Sequence, residues 1–143
     1  MDIKKRVNQL VQKYGTRNPL EIAKKMGCII VRYPLEGVRG FYHYFQRNHI
    51  IYIDERLSEH EILFVIAHEL GHVVLHKNNN ALFMDSRTFF IKSKYENDAN
   101  LFALNLLISD SDIEEHLDFT VSQLSRLFGY DEAMIKLRLK DFK

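Results

Sequence analysis

Two histidines and a glutamate near the middle of the chain have the types and spacing of a metal site. His68 and His72 are four residues apart, so an α-helix places both imidazoles on one face, about one turn apart. Two imidazole nitrogens held in this way can bind one zinc ion at about 2.0–2.1 Å each. Glu69 lies about 100° around the helix from His68, where it is poorly placed as a ligand but can reach a water molecule on the metal. The pattern predicts Zn²⁺ as the cofactor and Glu69 as the catalytic general base of a peptidase.

The apolar residues around this motif support the same interpretation. Val65-Ile66-Ala67 precede it and Val73-Val74-Leu75 follow it, which indicates a largely buried helix. An unpaired buried glutamate would be costly in such a helix, and a bound metal removes that difficulty. The alternative is a chance match on a core helix whose histidines have ordinary partners.

A zinc site needs a third protein ligand, and the sequence offers it on the next helix. Leu75 and Asn78 occupy the positions where the metzincin spacing requires glycine and histidine, so that class is excluded. Glu96 is the predicted ligand, because Asn100 lies one turn further on and could accept a hydrogen bond from a ligand histidine. Asp98 faces another side of that helix and is the alternative ligand.

Other polar residues near the motif have less certain roles. His76 continues the row of histidines, and it could contact the site or simply favour the helix dipole at a C-terminal turn. Tyr42, Tyr44 or His76 could assist a developing oxyanion, and the sequence does not rank them. The remaining histidines are interpreted as ordinary polar positions: His43, His49, His60 and His116.

Capping residues predict the helices that hold these side chains. Ser58 with Glu61 forms a capping box that opens a long helix running to about His76. A second long helix is predicted over about Ser93–Ile108, after a loop beginning at residues 78–80 and an unassigned stretch over 81–91. Further helices are marked by Gly15 as a stop, Asn18-Pro19 as a start with an end near Gly27, Thr120 with Gln123 as a capping box, Gly129 as a C-cap and Asp131 as an N-cap.

Three β-rich segments lie between the first two helices and the motif. They span Cys28–Tyr33, Gly40–Gln46 and Ile50–Ile53, with residues 47–49 joining the last two. The fold class is therefore α+β, with a small sheet of about three strands packed on two long helices that carry the metal site. Residues 1–143 are predicted to form a single domain, in which 109–143 is a short helical tail packed on the core.

Composition narrows the possible functions. The 143 residues carry a net charge of +1, which argues against nucleic-acid binding through a broad basic surface. Cys28 is the one cysteine and is expected to be a buried core thiol, so the chain has no internal disulfide and suits a reducing compartment. No apolar stretch follows the charged residues 1–6, and residues 62–67 are too short to span a bilayer. We therefore expect a soluble cytoplasmic protein with no membrane partner.

The motif and the helix after it together resemble the ImmA/IrrE family of zinc metallopeptidases. His68-Glu69-Leu70-Gly71-His72 matches the family's helix, and residues 96–103 match its Glu-x-x-Ala-Asn-x-Phe-Ala segment, which runs into Leu106 and Leu107. Residues 20–27 and 39–42 also resemble the family's N-terminal region. One departure is Ile108-Ser109, where the family often has Met-Pro, and we expect it to change only how the helix ends.

The resemblance implies a zincin-like, gluzincin-like domain and a cellular role. Members of the family act on helix-turn-helix repressors, and cleavage or removal of the repressor switches on a mobile element, a prophage or a stress response. The implied function is a zinc-dependent endopeptidase with such a repressor as its substrate or partner. The aromatic region Gly40–Ile53 is the predicted docking edge, where an extended segment could pair by β-augmentation.

Two other functions compete with this hypothesis. A non-catalytic, zinc-containing anti-repressor could bind and sequester the repressor, although Glu69 would then have no purpose. A DNA-binding module is suggested by Leu124–Asp131, which faintly resembles the first helix and turn of a helix-turn-helix. The basic residues of the tail are offset by acidic ones, so we expect no direct contact with nucleic acid.

Overall fold

The computed structural model describes the backbone of residues 2–76 and 88–142, with side chains over the same ranges except 88–92. Within these residues the chain forms seven helices and three strands. In chain order they are α1 (Ile3–Tyr14), α2 (Pro19–Lys25), β1 (Ile29–Tyr33), β2 (Gly40–Phe45), β3 (Asn48–Asp54), α3 (Glu59–His76), α4 (Thr88–Leu107), α5 (Asp110–Glu114), α6 (Val121–Phe128) and α7 (Glu132–Lys140). None of these helices is long and apolar enough to cross a membrane.

The sheet has the strand order β1-β3-β2, with β1 parallel and β2 antiparallel to the central strand β3. Strands β2 and β3 are joined by the two residues Gln46 and Arg47, whose φ angles are 50° and 65°. Two positive φ angles give a turn whose twist matches that of the strands on either side. The predicted connection over 47–49 is therefore wrong, because β3 already begins at Asn48.

Helices α3 and α4 pack directly against each other and form the centre of the molecule. Gly71 makes this close approach possible, since a Cβ atom at that position would lie 3.1 Å from Ala99 Cα and 3.1 Å from Phe102 Cβ. The sheet covers α3 on another side, where Ile51 and Ile53 of the central strand are fully buried. The crossing at Gly71 thus sets the distance between the two long helices, and the sheet packs on α3.

The remaining helices pack around this centre and confirm the predicted α+β fold. Helices α1 and α2 lie against α4 and α3 respectively and complete the main core. A second cluster joins the end of α4 to the tail through five buried side chains, Leu104, Ile108, Ile113, Leu124 and Ile135. The tail therefore packs on the end of α4.

Helix boundaries were predicted well at their capped ends and less well elsewhere. The capping box of Ser58 and Glu61 forms in both directions, at 3.0 and 3.2 Å. Helix α4 begins at Thr88 rather than at Ser93, and the predicted loop over 78–80 lies outside the described residues. Helix α5 was not predicted; Ser109 opens it by a capping box with Asp112.

Candidate metal centre

The side chains of His68 and His72 on α3 converge on Glu96 of α4. His68 Nε2 lies 3.2 Å from Glu96 Oε2, and His72 Nε2 lies 2.7 Å from Glu96 Oε1. One ligand atom from each residue lies within 4.8 Å of the others, which makes this group a candidate to hold a metal ion. The spacing along α3 accounts for the two histidines, and the close crossing at Gly71 brings Glu96 within reach.

The second ring nitrogen of each histidine, Nδ1, contacts another polar side chain. His68 Nδ1 lies 2.8 Å from Asn100 Oδ1, which can only accept a hydrogen bond, so Nδ1 carries a proton. Nε2 faces Glu96, to which it donates when protonated, and it can bind a metal ion once that proton is lost. His72 Nδ1 lies 3.2 Å from His76 Nδ1. Asn100 and His68 are thus in the contact that the sequence predicted between Asn100 and one of the motif histidines.

Two imidazole nitrogens and a carboxylate form a donor set that suits zinc. Hydrogen bonds from His68 and His72 hold the pKa of Glu96 far below its ordinary value, so the carboxylate is charged. Burial lowers the pKa of His68, but the hydrogen bond to Glu96 and the charges of Glu69 and Glu96 outweigh it and raise the pKa overall. The group therefore stabilises positive charge at its centre, which is the property a cation requires.

Glu69 lies beside this group without being part of it. Its side chain is buried, and burial raises the pKa of the carboxyl above the ordinary value for glutamate. It nevertheless lines a cleft of about 290 Å³ together with His68, Glu96 and Asn100. Its carboxylate can thus reach a molecule that is bound in front of the two histidines.

His76 and Asp98 lie next to the group of His68, His72 and Glu96 but are not members of it. His76 is only 6% exposed, and its ring stacks on Tyr95 at a centroid distance of 4.1 Å. His76 contacts the site through His72, which is one of the roles considered for it from the sequence. Asp98 pairs with Lys94 at 3.1 Å and lies 3.6 Å from His76 Nε2, so it is outside the converging group.

The two candidate tyrosines do not reach the cleft. The Tyr42 hydroxyl lies 2.7 Å from His49 Nδ1, and burial, with smaller contributions from Cys28 and Tyr44, raises its pKa to about 12. Tyr44 is 43% exposed and contacts the same histidine. Among the described residues, neither tyrosine lines the space in front of His68.

Further residues line the cleft, and the sequence contains no pattern that predicts Arg39, Phe64 or Met134 there. Arg39 immediately precedes β2, Phe64 lies on α3 and Met134 lies on α7. Arg39 belongs to a segment that resembles the family, but no role was assigned to it. No local pattern marks Met134, because its position depends on how the tail packs.

A helical HExxH motif with a carboxylate on the following helix is an arrangement found in metallopeptidases. The chain belongs to the Peptidase M78 family, whose model, described as the IrrE N-terminal-like domain, matches residues 23–140. This confirms the resemblance to the ImmA/IrrE family.

Two relatives are similar over nearly the whole chain. The "Uncharacterized immunity region protein 2" of Bacillus phage phi105 is 37% identical over 147 residues, which cover 98% of this chain and 93% of the relative. "Metallopeptidase ImmA" of Bacillus subtilis (strain 168) is 33% identical over 143 residues, covering 96% and 83%.

A solved structure described as a "Mycobacterium tuberculosis transcriptional regulator" has the same fold. It superposes with a TM-score of 0.66 at 17% identity, over 97% of this chain and 46% of that protein. The present chain thus spans just under half of the length of that protein.

Proposed function

We propose that the protein is a zinc-dependent endopeptidase. The convergence of His68 Nε2, His72 Nε2 and the Glu96 carboxylate, with the buried Glu69 beside them, carries the proposal. The first three residues would hold the zinc ion. When bound, zinc would polarise the peptide carbonyl and a water molecule as a Lewis acid.

Glu69 is the proposed general base. Its carboxylate accepts a proton from the attacking water and later gives it to the nitrogen of the departing amine. Burial raises the pKa of Glu69, which makes its carboxylate a stronger base than that of an exposed glutamate. His76, through its contact with His72, positions that ligand and does not touch the substrate.

Strand β2 is the proposed docking edge for the substrate. It lies at the edge of the sheet, since β3 pairs with β1 on its other side. Its first residue, Gly40, lines the same cleft as His68 and Glu69. An extended segment that pairs with β2 would therefore run into the cleft and present a peptide bond to the metal centre.

The proposed substrate is a helix-turn-helix repressor in the cytoplasm. One relative is named as a metallopeptidase and another as a protein of a phage immunity region. A net charge of +1 also suits a protein partner better than DNA. Cleavage of the repressor would derepress a mobile element, a prophage or a stress response.

Glu69→Gln tests the proposal. The amide cannot take a proton, so the variant should keep its zinc and lose peptidase activity, by a factor of about 100 or more. The protein is co-expressed with a helix-turn-helix repressor encoded beside it, with and without the inducing signal, and the intact repressor is quantified. Glu59→Gln is the matched control, because it makes the same change at an exposed position on α3.

The outcomes separate cleavage from sequestration. Loss of the repressor with the native protein and with Glu59→Gln, but not with Glu69→Gln, supports the peptidase. Equal cleavage by Glu69→Gln would exclude Glu69 as the base. Relief of repression by every variant, with the repressor intact, would replace the peptidase by a zinc-containing anti-repressor.

A further inference from the structure

The cleft at the metal centre continues away from the zinc ligands into a second space. This second space measures about 240 Å³ and is lined by His60, Gly129 and Tyr130, among others. Both spaces share Arg39, Phe64 and Met134. We call the combined space around Phe64, Tyr130 and Met134 the Phe64 groove, and it opens beside His68.

Aromatic rings form the floor of the Phe64 groove. Phe64 lies between His68 and Tyr130, with ring centroids 6.3 Å from the first and 5.6 Å from the second. His60 stacks on Tyr130 at 4.7 Å, and its Nε2 lies 3.0 Å from the carbonyl oxygen of Gly129. These contacts fix the tail against α3, so the groove is formed before a ligand arrives.

Charged side chains at the rim of the groove comprise one cation, Arg39, and two carboxylates, Glu61 and Asp131. The guanidinium of Arg39 lies 3.7 Å from the carboxylate of Glu61, and both side chains are substantially exposed. The walls themselves are Phe64, Tyr130 and Met134, which are partly buried. An unbranched methionine adapts its shape to a ligand and favours apolar or aromatic groups. The walls of the groove therefore favour an apolar side chain, and the charged groups lie around them.

We infer that the Phe64 groove receives a large apolar side chain of the substrate, such as leucine, phenylalanine or methionine, next to the bond that is cleaved. The inference rests on the proposed peptidase function and gives the C-terminal tail a part in specificity. Its basis is the continuity of the groove with the space in front of His68 and Glu69. A polypeptide aligned along β2 would place one side chain there while its backbone crosses the metal centre.

The first test does not depend on catalysis. Zinc-loaded Glu69→Gln protein carries ¹³C-methyl methionine, and its spectrum is recorded with N-acetyl-leucinamide, N-acetyl-phenylalaninamide or N-acetyl-glycinamide. Probes of this size bind apolar pockets with dissociation constants of a few millimolar, so about 20 mM is used. Met134→Leu assigns the signal, and Met26, which packs on the main core, is the internal control.

The two apolar probes should shift the Met134 signal by a saturable amount, whereas the glycine probe and the Met26 signal should show no such shift. A Met134 signal that does not move, or that moves equally with the glycine probe, overturns the inference. Because no bond is cleaved in this experiment, its result is independent of whether the protein is a peptidase.

The second test compares two charge substitutions on α7. Met134→Glu places a carboxylate in the groove, and Ala133→Glu makes the same charge change at an exposed neighbouring position. Each zinc-loaded protein is incubated with a library of tryptic peptides, and the cleaved bonds are read by mass spectrometry. Burying one apolar group in a specificity pocket changes rates by roughly 10- to 200-fold.

Met134→Glu should lower cleavage beside leucine, phenylalanine and methionine at least about tenfold relative to cleavage beside alanine. Ala133→Glu should keep the native preference. An unchanged preference in Met134→Glu overturns the inference even though the peptidase itself is confirmed. A shifted Met134 signal in a protein that cleaves no peptide and no repressor confirms the groove and overturns the proposed activity.

Discussion

The metal centre and the cluster around Arg138 both collect ionisable side chains at helix α4, but they are built differently. Arg138 is 2% exposed and donates from Nε to the carbonyl oxygen of Ile108 at 2.9 Å and from Nη2 to Asp110 at 2.7 Å. Lys4 pairs with the same carboxylate, and Arg17 donates to two carbonyl oxygens at the end of α4. These donors meet acceptors, and together they tie α1 and α7 to α5 and to the end of α4.

At the candidate metal centre, groups that can each act as an acceptor face one another instead. The Nε2 atoms of His68 and His72 both lie against the carboxylate of Glu96, and either a proton or a metal ion can join a nitrogen to an oxygen. The contrast shows how to tell a site from a structural ion pair. In a structural pair the protein supplies both donor and acceptor, whereas a metal site leaves its acceptors for something that must be added.

The largest expected effect is the loss of the metal from Glu96→Ala. Removing one of three ligands should weaken zinc binding by about 100-fold or more, and Asp98→Ala is the control on the same helix. Zinc bound per chain is measured by elemental analysis after dialysis against a weak chelator. Full zinc in Glu96→Ala together with loss in Asp98→Ala would make Asp98 the third ligand.

The next largest effect is expected from disrupting the Arg138 cluster, which should not change zinc binding. Arg138→Met removes a buried cation and leaves Asp110 with fewer partners, so the free energy of unfolding should fall by about 3 kcal/mol. Urea unfolding measures this loss, and zinc bound per chain should stay at the native level. Adding Asp110→Asn should recover part of the loss, because the two residues interact directly. A loss below about 1 kcal/mol would show that the cluster contributes little to stability.

The smallest effect is a pH dependence at Asp110. Burial raises the pKa of this carboxyl, but hydrogen bonds from Arg138 and Lys4 outweigh it and leave the pKa below its ordinary value. The contribution of Asp110 to stability is therefore complete above the unfolded pKa of about 3.9 and is lost as the pH falls below it.

Zinc-free native protein and Asp110→Asn are compared by urea unfolding at pH values from 7 to 3. The difference in unfolding free energy should be about 1 kcal/mol at pH 7 and should decrease as the pH falls below about 4. A difference that grows as the pH falls would contradict the assigned direction.

The sequence predicted those features that depend on near neighbours in the chain. The caps at Gly15 and Asn18 form as expected, with φ of 71° at Gly15 and hydrogen bonds to Asn18 Oδ1 at 2.9 and 3.3 Å. Helical spacing likewise places His68 and His72 on one face of α3, and Glu96 and Asn100 on one face of α4. The approach of Glu96 to the histidines depends in addition on the crossing of the two helices at Gly71.

The features that were missed depend on packing or on unusual local chemistry. The turn at Gln46-Arg47 has positive φ angles without the asparagine and glycine that usually reveal such a turn. Helix α5 uses Asp112 where a capping box usually has glutamate or glutamine. Met134 reaches the cleft only because the tail folds back on α4, and no spacing in the sequence expresses that contact.

Gly71 has a consequence for how such a chain can change over generations. A Cβ atom there would lie 3.1 Å from Ala99 Cα and 3.2 Å from Phe102 Cδ1, so a larger residue requires its neighbours to yield. The two nearest atoms, Ala99 Cα and Phe102 Cβ, are present whatever ordinary side chain stands at 99 or 102, so a smaller neighbour does not remove these contacts. In a collection of related sequences, glycine should therefore persist at position 71 wherever the two helices cross this closely. A position that binds no metal would thus be constrained by the crossing that brings His68, His72 and Glu96 together.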